Sequence, residues 1–331
     1  MWRFWNPLLL RLLHRDPGEI ERRAAGFAIR SERGRRLVAH LGQAFLGGYN
    51  AMLELPSMER VSEAAAQVDP HFRPFFFEGA ALGYLPRGYL CSDFRPQRVE
   101  RDLLQMDPGF RYLYYVGLGF WMALRHPRQP AAIESLGRHL DPMYLPLCYD
   151  GFGFKVGFFD YPRRPERARK LLQLVPAEHR RAAQQGFGRS LFFVFMEDEA
   201  AFRRERDEVL GDLRMAREQG RSLAVAFTGV DRPRGIEEYL EQAAGEAELS
   251  ARLTGVTWAL TAREMNDRDY FQRCMAGATD DWRDLFLQLP GLCLQALQQS
   301  ATYGEWQERS RDAALTAYRL ALSGRRAREN G

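Results

Sequence analysis

One passage recurs four times along this chain. Each copy opens on a proline, runs through aromatic residues and then reaches a glycine. The prolines are Pro70, Pro108, Pro142 and Pro176, spaced by 38, 34 and 34 residues; the first three follow Asp69, Asp107 and Asp141. Gly79, Gly117 and Gly151 each lie nine positions after their proline, and Gly186 lies ten after its own. A fixed period of this size marks a helical repeat array, in which each unit buries its apolar face against its neighbours. The spacing therefore predicts an all-α protein, a helical-hairpin repeat solenoid of the TPR or HEAT kind. Capping helices are expected at 1–55, the array at 56–265, further helices at 266–322 and a flexible tail at 323–331.

Each unit reads as a pair. Stretches 57–68, 96–106, 131–140 and 165–174 are amphipathic and charged, and each leads through a proline into a more apolar stretch. Proline cannot continue a helix and restricts the residue before it, but it suits the first turn of the next one. Ahead of the array, Leu37, His40, Leu41, Ala44, Phe45 and Tyr49 recur at helical steps, so 31–53 reads as a helix. Later pairs fall at 199–218 with 222–229 and at 236–244 with 246–264, and 267–321 reads as helices broken near Pro290. The short apolar runs at 191–195 and 223–227 also fit strands. Glycine inside a helix costs about 1 kcal/mol against alanine, so its recurrence implies a packing role. Gly79 and Gly83, like Gly153 and Gly157, share one helical face, which would let a neighbouring backbone approach.

Composition removes several function classes. Basic and acidic residues nearly balance, 47 against 43, so no nucleic-acid partner is expected. No two of Cys91, Cys148, Cys274 and Cys293 are closer than 19 positions, which rules out a CxxC motif; scattered thiols fit a reducing cytoplasm. The six histidines show no metal spacing. Gly151-Phe152-Gly153 and Gly186-Phe187-Gly188 lack the third glycine of a dinucleotide loop, and no GxSxG, HExxH or EF-hand pattern occurs. No cofactor, metal or catalytic constellation is expected. The opening segment carries Trp2, Trp5, Leu8, Leu9 and Leu12 between arginines. It is too short to span a bilayer and makes a poor signal peptide. Two readings stand: a cap on the first repeat, or a helix at a membrane surface.

Charges inside the apolar helices are more informative. Glu78, Asp150 and Gln185 each precede a repeat glycine, and Lys155 and Arg189 fall on neighbouring turns. Buried charge needs a partner. These residues either pair inside the stack and fix its register, or form a polar stripe in an aromatic groove that orients an apolar ligand. On the second reading the ligand-groove candidates are Glu78, Tyr115, Trp121, Asp150, Lys155 and Arg189.

The same segments carry a family resemblance. Phe77-Glu78-Gly79-Ala80-Ala81-Leu82-Gly83-Tyr84, Tyr115-Val116-Gly117-Leu118-Gly119, Tyr149-Asp150-Gly151-Phe152-Gly153-Phe154 and Gln185-Gly186-Phe187-Gly188-Arg189-Ser190-Leu191-Phe192-Phe193 resemble an uncharacterised bacterial family encoded in enediyne polyketide biosynthesis clusters. Gly26-Phe27 and Phe45-Leu46-Gly47-Gly48-Tyr49-Asn50 are similar too, so the resemblance covers 22–195. The C-terminal third departs, with only an echo at Ala226-Phe227-Thr228-Gly229-Val230. The resemblance implies an accessory role near secondary metabolism and supplies no catalytic residues. The resulting expectation is a non-catalytic binding or scaffold protein that holds an apolar metabolite intermediate, or a biosynthetic partner protein, in a groove of stacked helices. The alternative is an enzyme using Glu78 and Asp150 for acid–base chemistry, with Lys155 or Arg189 stabilising an anion.

Overall fold

The computed structural model describes residues 12–91 and 94–329, with side chains to residue 321. Among them the chain is helical, and no strand occurs. Of the short apolar runs that could have been strands, 223–227 lies in a helix and 191–195 ends one, with Phe195 as its cap. The chain divides into two compact units, Met1–Glu205 and Arg206–Gly331, a division inside the 56–265 span.

The first unit contains α1 (Glu19–Ala24), α2 (Glu32–Glu54), α3 (Met58–Ala66), α4 (Arg73–Leu90), α5 (Val99–Leu104), α6 (Arg111–Arg125), α7 (Ala132–Gly137), α8 (Leu145–Lys155), α9 (Pro165–Gln173), α10 (Arg180–Val194) and α11 (Glu199–Arg206). A π-helical turn, Val156–Asp160, extends α8. The Asp-Pro junctions form by a local mechanism. The carboxylates of Asp69, Asp107 and Asp141 accept the backbone N–H two residues on, from His71 at 2.7 Å, Gly109 at 2.8 Å and Met143 at 2.9 Å. Each side chain thereby takes a donor that the incoming helix cannot use.

The long helices α2, α4, α6, α8 and α10 pack in chain order, each on the next. Glycine sets how closely they approach. A Cβ on Gly48 would overlap the Phe76 carbonyl, and one on Gly79 the Phe45 carbonyl, so α2 and α4 touch backbone to backbone from both sides. The same reciprocity joins Gly153 to Ala183 and Gly186 to Asp150, between α8 and α10. One apolar core runs between the long helices and the short ones, from Val61 through Phe77, Leu103, Leu118, Leu136, Phe152 and Leu171 to Phe187. Smaller clusters occupy another face of the long helices. One joins Ile20, Val38 and Leu46 to Phe158 and Phe193, so α2, the π turn and α10 meet. Backbone bonds hold the same junction: Ala28 N–H donates to the Val194 carbonyl at 2.9 Å, and Glu197 N–H to that of Ala28 at 3.2 Å.

The second unit contains α12 (Gly211–Thr228), α13 (Pro233–Glu241), α14 (Glu246–Asn266), α15 (Arg268–Met275), α16 (Asp280–Gln298) and α17 (Tyr303–Glu329). Helix α12 packs on α14, α14 on α16, and α17 on both α14 and α16. Buried Glu218 and Glu248 are bridged by Arg206 and Arg252, and Tyr239 OH also donates to Glu218 at 3.0 Å.

Three sequence readings change. The pair expected at 199–218 and 222–229 breaks earlier, because Gly211 takes φ +55°, a backbone that residues with a Cβ rarely adopt, and α12 starts there. Pro290 does not break its helix: the buried stripe Trp282, Leu285, Phe286, Leu289 and Cys293 continues through it in α16. Packing of that stripe outweighs the proline penalty of about 3 kcal/mol. The last helix reaches Glu329 and takes in most of the stretch expected as a tail.

Candidate functional site

The residue before each packing glycine is carried beside a helix–helix seam. Three such residues and one arginine meet in the first unit. Arg189 Nη2 lies 2.6 Å from Asp150 Oδ1, Gln185 Nε2 donates to Asp150 Oδ2 at 3.1 Å, and Arg189 Nη1 stands 3.9 Å from Glu78 Oε1. All four side chains are buried, and the Arg189 guanidinium lies 4.6 Å from the centre of the Phe154 ring. Two carboxylates thus share one guanidinium. Asp150 takes the contacts; among the described residues no hydrogen bond reaches Glu78.

Burial pushes the Glu78 acid up to about 7; Arg189 opposes that shift and Asp150 adds to it. Burial also raises Asp150, against the pull of Arg189 and its two hydrogen bonds. Burial works against the charged Arg189, but Asp150 and Glu78 outweigh it and raise its pKa. Glu78 therefore carries a proton up to near neutrality.

The remaining candidates go elsewhere. Lys155 turns to Asp160, 2.8 Å away across the π turn. Tyr115 OH donates to Glu100 at 2.6 Å and accepts from the Asp141 N–H at 2.9 Å, which ties α6 to the start of the next repeat. Trp121 stacks on Tyr89 at 5.4 Å and lines a cavity. Of the residues proposed for membrane contact, Trp2, Trp5, Leu8 and Leu9 lie outside the described residues; Leu12 is exposed. No helix among the described residues is long and apolar enough to cross a membrane. No group of three or more His, Cys, Asp or Glu among them could hold a metal.

The cavity is about 440 Å³. Helix α2 contributes Phe45, Leu46 and Tyr49, α4 contributes Leu82 and Pro86, and α6 contributes Phe120, Trp121 and Leu124. Leu13, Ile20 and Phe159 complete the apolar lining. Leu82 follows Glu78 by one helical turn, and Phe120 lies 6.2 Å from Phe154, centre to centre. The Phe154 ring on Arg189 and the Phe120 ring on the cavity wall thus link the ion cluster to the cavity.

The polar lining is Arg15, Glu19, Arg23, Arg125 and the Tyr49 hydroxyl. Three guanidiniums face one carboxylate. Glu19 sits 3.9 Å from Arg15 and 3.8 Å from Arg23, too long for either to be a tight pair. The Arg23 guanidinium lies 4.4 Å from the centre of the Phe159 ring, and its buried Nε has no hydrogen-bond partner among the described residues. Burial, then repulsion from Arg163, lowers its pKa. Burial raises the Tyr49 phenol.

Sequence reasoning passed over these arginines, because a single arginine on an apolar helix carries no motif. A signal did exist. Arg87, Arg125 and Arg263 each stand eight residues after a glycine that packs on a neighbouring helix, namely Gly79, Gly117 and Gly255.

Residues 4–281 match the profile of DUF1702, a family of proteins of unknown function, well beyond the 22–195 stretch that carried the earlier resemblance. No curated protein and no solved structure gives a significant match. The chain belongs to the DUF1702 family.

Proposed function

We propose that this member of the DUF1702 family is a binding protein for a largely apolar small molecule, held in the cavity between α1, α2, α4 and α6. The observation that carries this reading is the cavity itself. Its volume falls within the range of small-molecule sites, and its makeup is the usual one: aromatic and aliphatic walls with a few polar groups. The helical-hairpin repeat reading supports it. Pairs of the TPR or HEAT kind present one face of each long helix to a common side, and the junction of α2 with α10 gives that side an interior. A place beside enediyne-type polyketide assembly fits an apolar, polyene-like guest, and that context is part of the proposal.

Binding of anilinonaphthalene sulfonate, an aromatic probe whose fluorescence rises in apolar sites, tests it. Saturable binding of one probe per chain is expected, together with its loss in Leu82→Trp protein that keeps the helical circular dichroism of the parent. Absent or non-saturable binding, or binding untouched by that substitution, removes the reading.

A second reading has one specific observation behind it. Glu78 carries a proton near neutrality one helical turn from Leu82 of the cavity wall, and it would serve as a general acid for a guest group that reaches it past the wall, directly or through one water. Its counterpart Asp150 is engaged by Gln185 and Arg189 and is less free to act. Product formation from the cavity guest that disappears in Glu78→Gln protein would establish this chemistry; the binding role predicts the guest recovered unchanged.

A further inference from the structure

In two of three repeats, one arginine position is spent on structure. Arg87 of α4 donates to the carbonyls of Met52 at 2.5 Å and Leu55 at 2.7 Å, at the end of α2. Arg263 of α14 donates through Nε to the Phe227 carbonyl at 2.8 Å, at the end of α12. In each case a guanidinium on one long helix takes carbonyls left over where the previous long helix stops. Arg125 holds the same position in α6, eight residues after its packing glycine.

Arg125 has nothing equivalent to hold. Gly117 packs against the Glu78 carbonyl of α4, and Arg125 shares the cavity wall with Pro86, four residues short of the last residue of that helix. Helix α4 continues to Leu90, so carbonyls at that level still accept bonds inside their own helix. Among the described residues Arg125 makes no hydrogen bond and no ion pair, and it lines the cavity. Arg15 and Arg23 line the same space, and among the described residues of the lining Glu19 is the one carboxylate set against the three positive charges. From the π-turn side Arg163 repels Arg23 more strongly than Asp160 attracts it.

We infer that the cavity is built for an anionic amphiphile: an apolar body against Phe45, Leu82, Phe120 and Trp121, and a carboxylate or phosphate held by Arg125 with Arg15 and Arg23. The inference rests on the binding role proposed above and adds the charge of the guest. A guanidinium suits either head group, because its planar fork meets two oxygens at once. Arg125 and Arg15 reach water in the open cavity, and a neutral guest seated against them would strip that water without supplying a counter-charge, which is costly. An anion removes that cost, and the apolar walls then set what the anion must be attached to.

The test compares three probes with the same twelve-carbon chain: dodecanoate, dodecyl phosphate and dodecanol. Each competes with Nile red, an uncharged apolar dye, on the full chain and on Arg125→Gln and Arg125→Lys proteins. The expected result is that at least one anion binds tenfold or more tighter than the alcohol. Arg125→Gln should abolish that advantage without changing alcohol binding, and Arg125→Lys should restore part of it. Tighter binding of the carboxylate or of the phosphate then identifies the head group. Equal binding of all three probes, or an anion preference unaffected by Arg125→Gln, overturns the inference and leaves the cavity role standing. Failure of all three probes and of the dye overturns both.

Discussion

Gly119 of α6 and Gly151 of α8 lie on the two sides of one helix seam, each against the other's backbone. A Cβ on Gly119 would overlap the Cys148 carbonyl, and one on Gly151 would overlap the Val116 carbonyl. The obstacle on each side is main chain, which cannot rotate away as a side chain can. Gly151→Ala should therefore destabilise the protein by about 2–3 kcal/mol, at the upper end of core overpacking. Gly291, exposed in α16 with nothing near its missing Cβ, makes the control. Gly291→Ala should stabilise by about 0.5–1 kcal/mol, because only helix propensity changes. Denaturant unfolding of the two variants reads both signs, and equal effects would refute the seam argument.

Glu78 predicts how stability varies with pH. Its acid is held near 7 in the folded chain against an ordinary 4.5, with burial the main cause. Between those values the folded state keeps a proton that the unfolded chain has released. The stabilisation this provides is complete below pH 4.5 and is lost as pH rises through 7. Over the whole window the loss is on the order of 3 kcal/mol. Glu78→Gln, which cannot ionise, should flatten that stretch of the profile and make the protein more stable at pH 8. A wild-type profile that rises from pH 5 to 8, or one unchanged by Glu78→Gln, would contradict the assignment.

Asp150 and Glu78 should prove coupled through Arg189. Removing the charge of Asp150 leaves Arg189 buried with only a partner 3.9 Å away. Asp150→Asn alone should cost about 3–5 kcal/mol, the usual penalty for breaking a buried pair. It should also lower the Glu78 pKa, since a repelling carboxylate has gone and the guanidinium is no longer shared. The double variant Glu78→Gln with Asp150→Asn should then be less stable than the two single effects added, and a double-mutant cycle measures that term directly. Additive effects would mean that the two carboxylates do not share the arginine.

Much of the first unit was legible because its repeats act through short-range rules. Asp69, Asp107 and Asp141 announce their turns through the proline that follows, and the glycines nine positions later announce a close seam. Glu78, Asp150 and Arg189 could be singled out because charge in an apolar helix is costly without a partner. Lys155 was grouped with them by helical spacing, but the π turn moves Asp160 within its reach, and a single extra backbone residue leaves no mark in composition. Tyr115 reads as an apolar-stripe ring, whereas its hydroxyl bridges Glu100 and the Asp141 N–H, both distant in sequence. The junction of α2 with α10 was hidden for the same reason: Ala28 and Val194 are joined by main-chain groups, which every residue has. One signal was available and passed over. Gly188-Arg189-Ser190-Leu191 recurs as Gly220-Arg221-Ser222-Leu223, which marks α12 as a further copy of the long-helix pattern.

Arg87 and Arg125 occupy the same place in successive repeats, yet substitution should separate them. Arg87 is fully buried, and burial lowers its pKa to about 10. It satisfies two carbonyls at the end of α2, and without it those acceptors stay buried and unpaired. Arg87→Met, which keeps the apolar stem, should cost about 2–4 kcal/mol from lost charge-assisted hydrogen bonds. Arg125 is exposed at its level of α6 and holds no protein group among the described residues. Arg125→Met should change stability by less than about 0.5 kcal/mol, as for a surface substitution away from any network. Its effect should appear in ligand binding instead, as loss of the anion preference. Thermal unfolding with and without dodecanoate distinguishes the two roles. Arg87→Met should lower the midpoint in both conditions by similar amounts. Arg125→Met should leave the unliganded midpoint in place and reduce only the upward shift that dodecanoate produces, because a ligand stabilises in proportion to how tightly it holds the folded state. A large loss of unliganded stability in Arg125→Met protein would show that this arginine, like Arg87, is part of the scaffold.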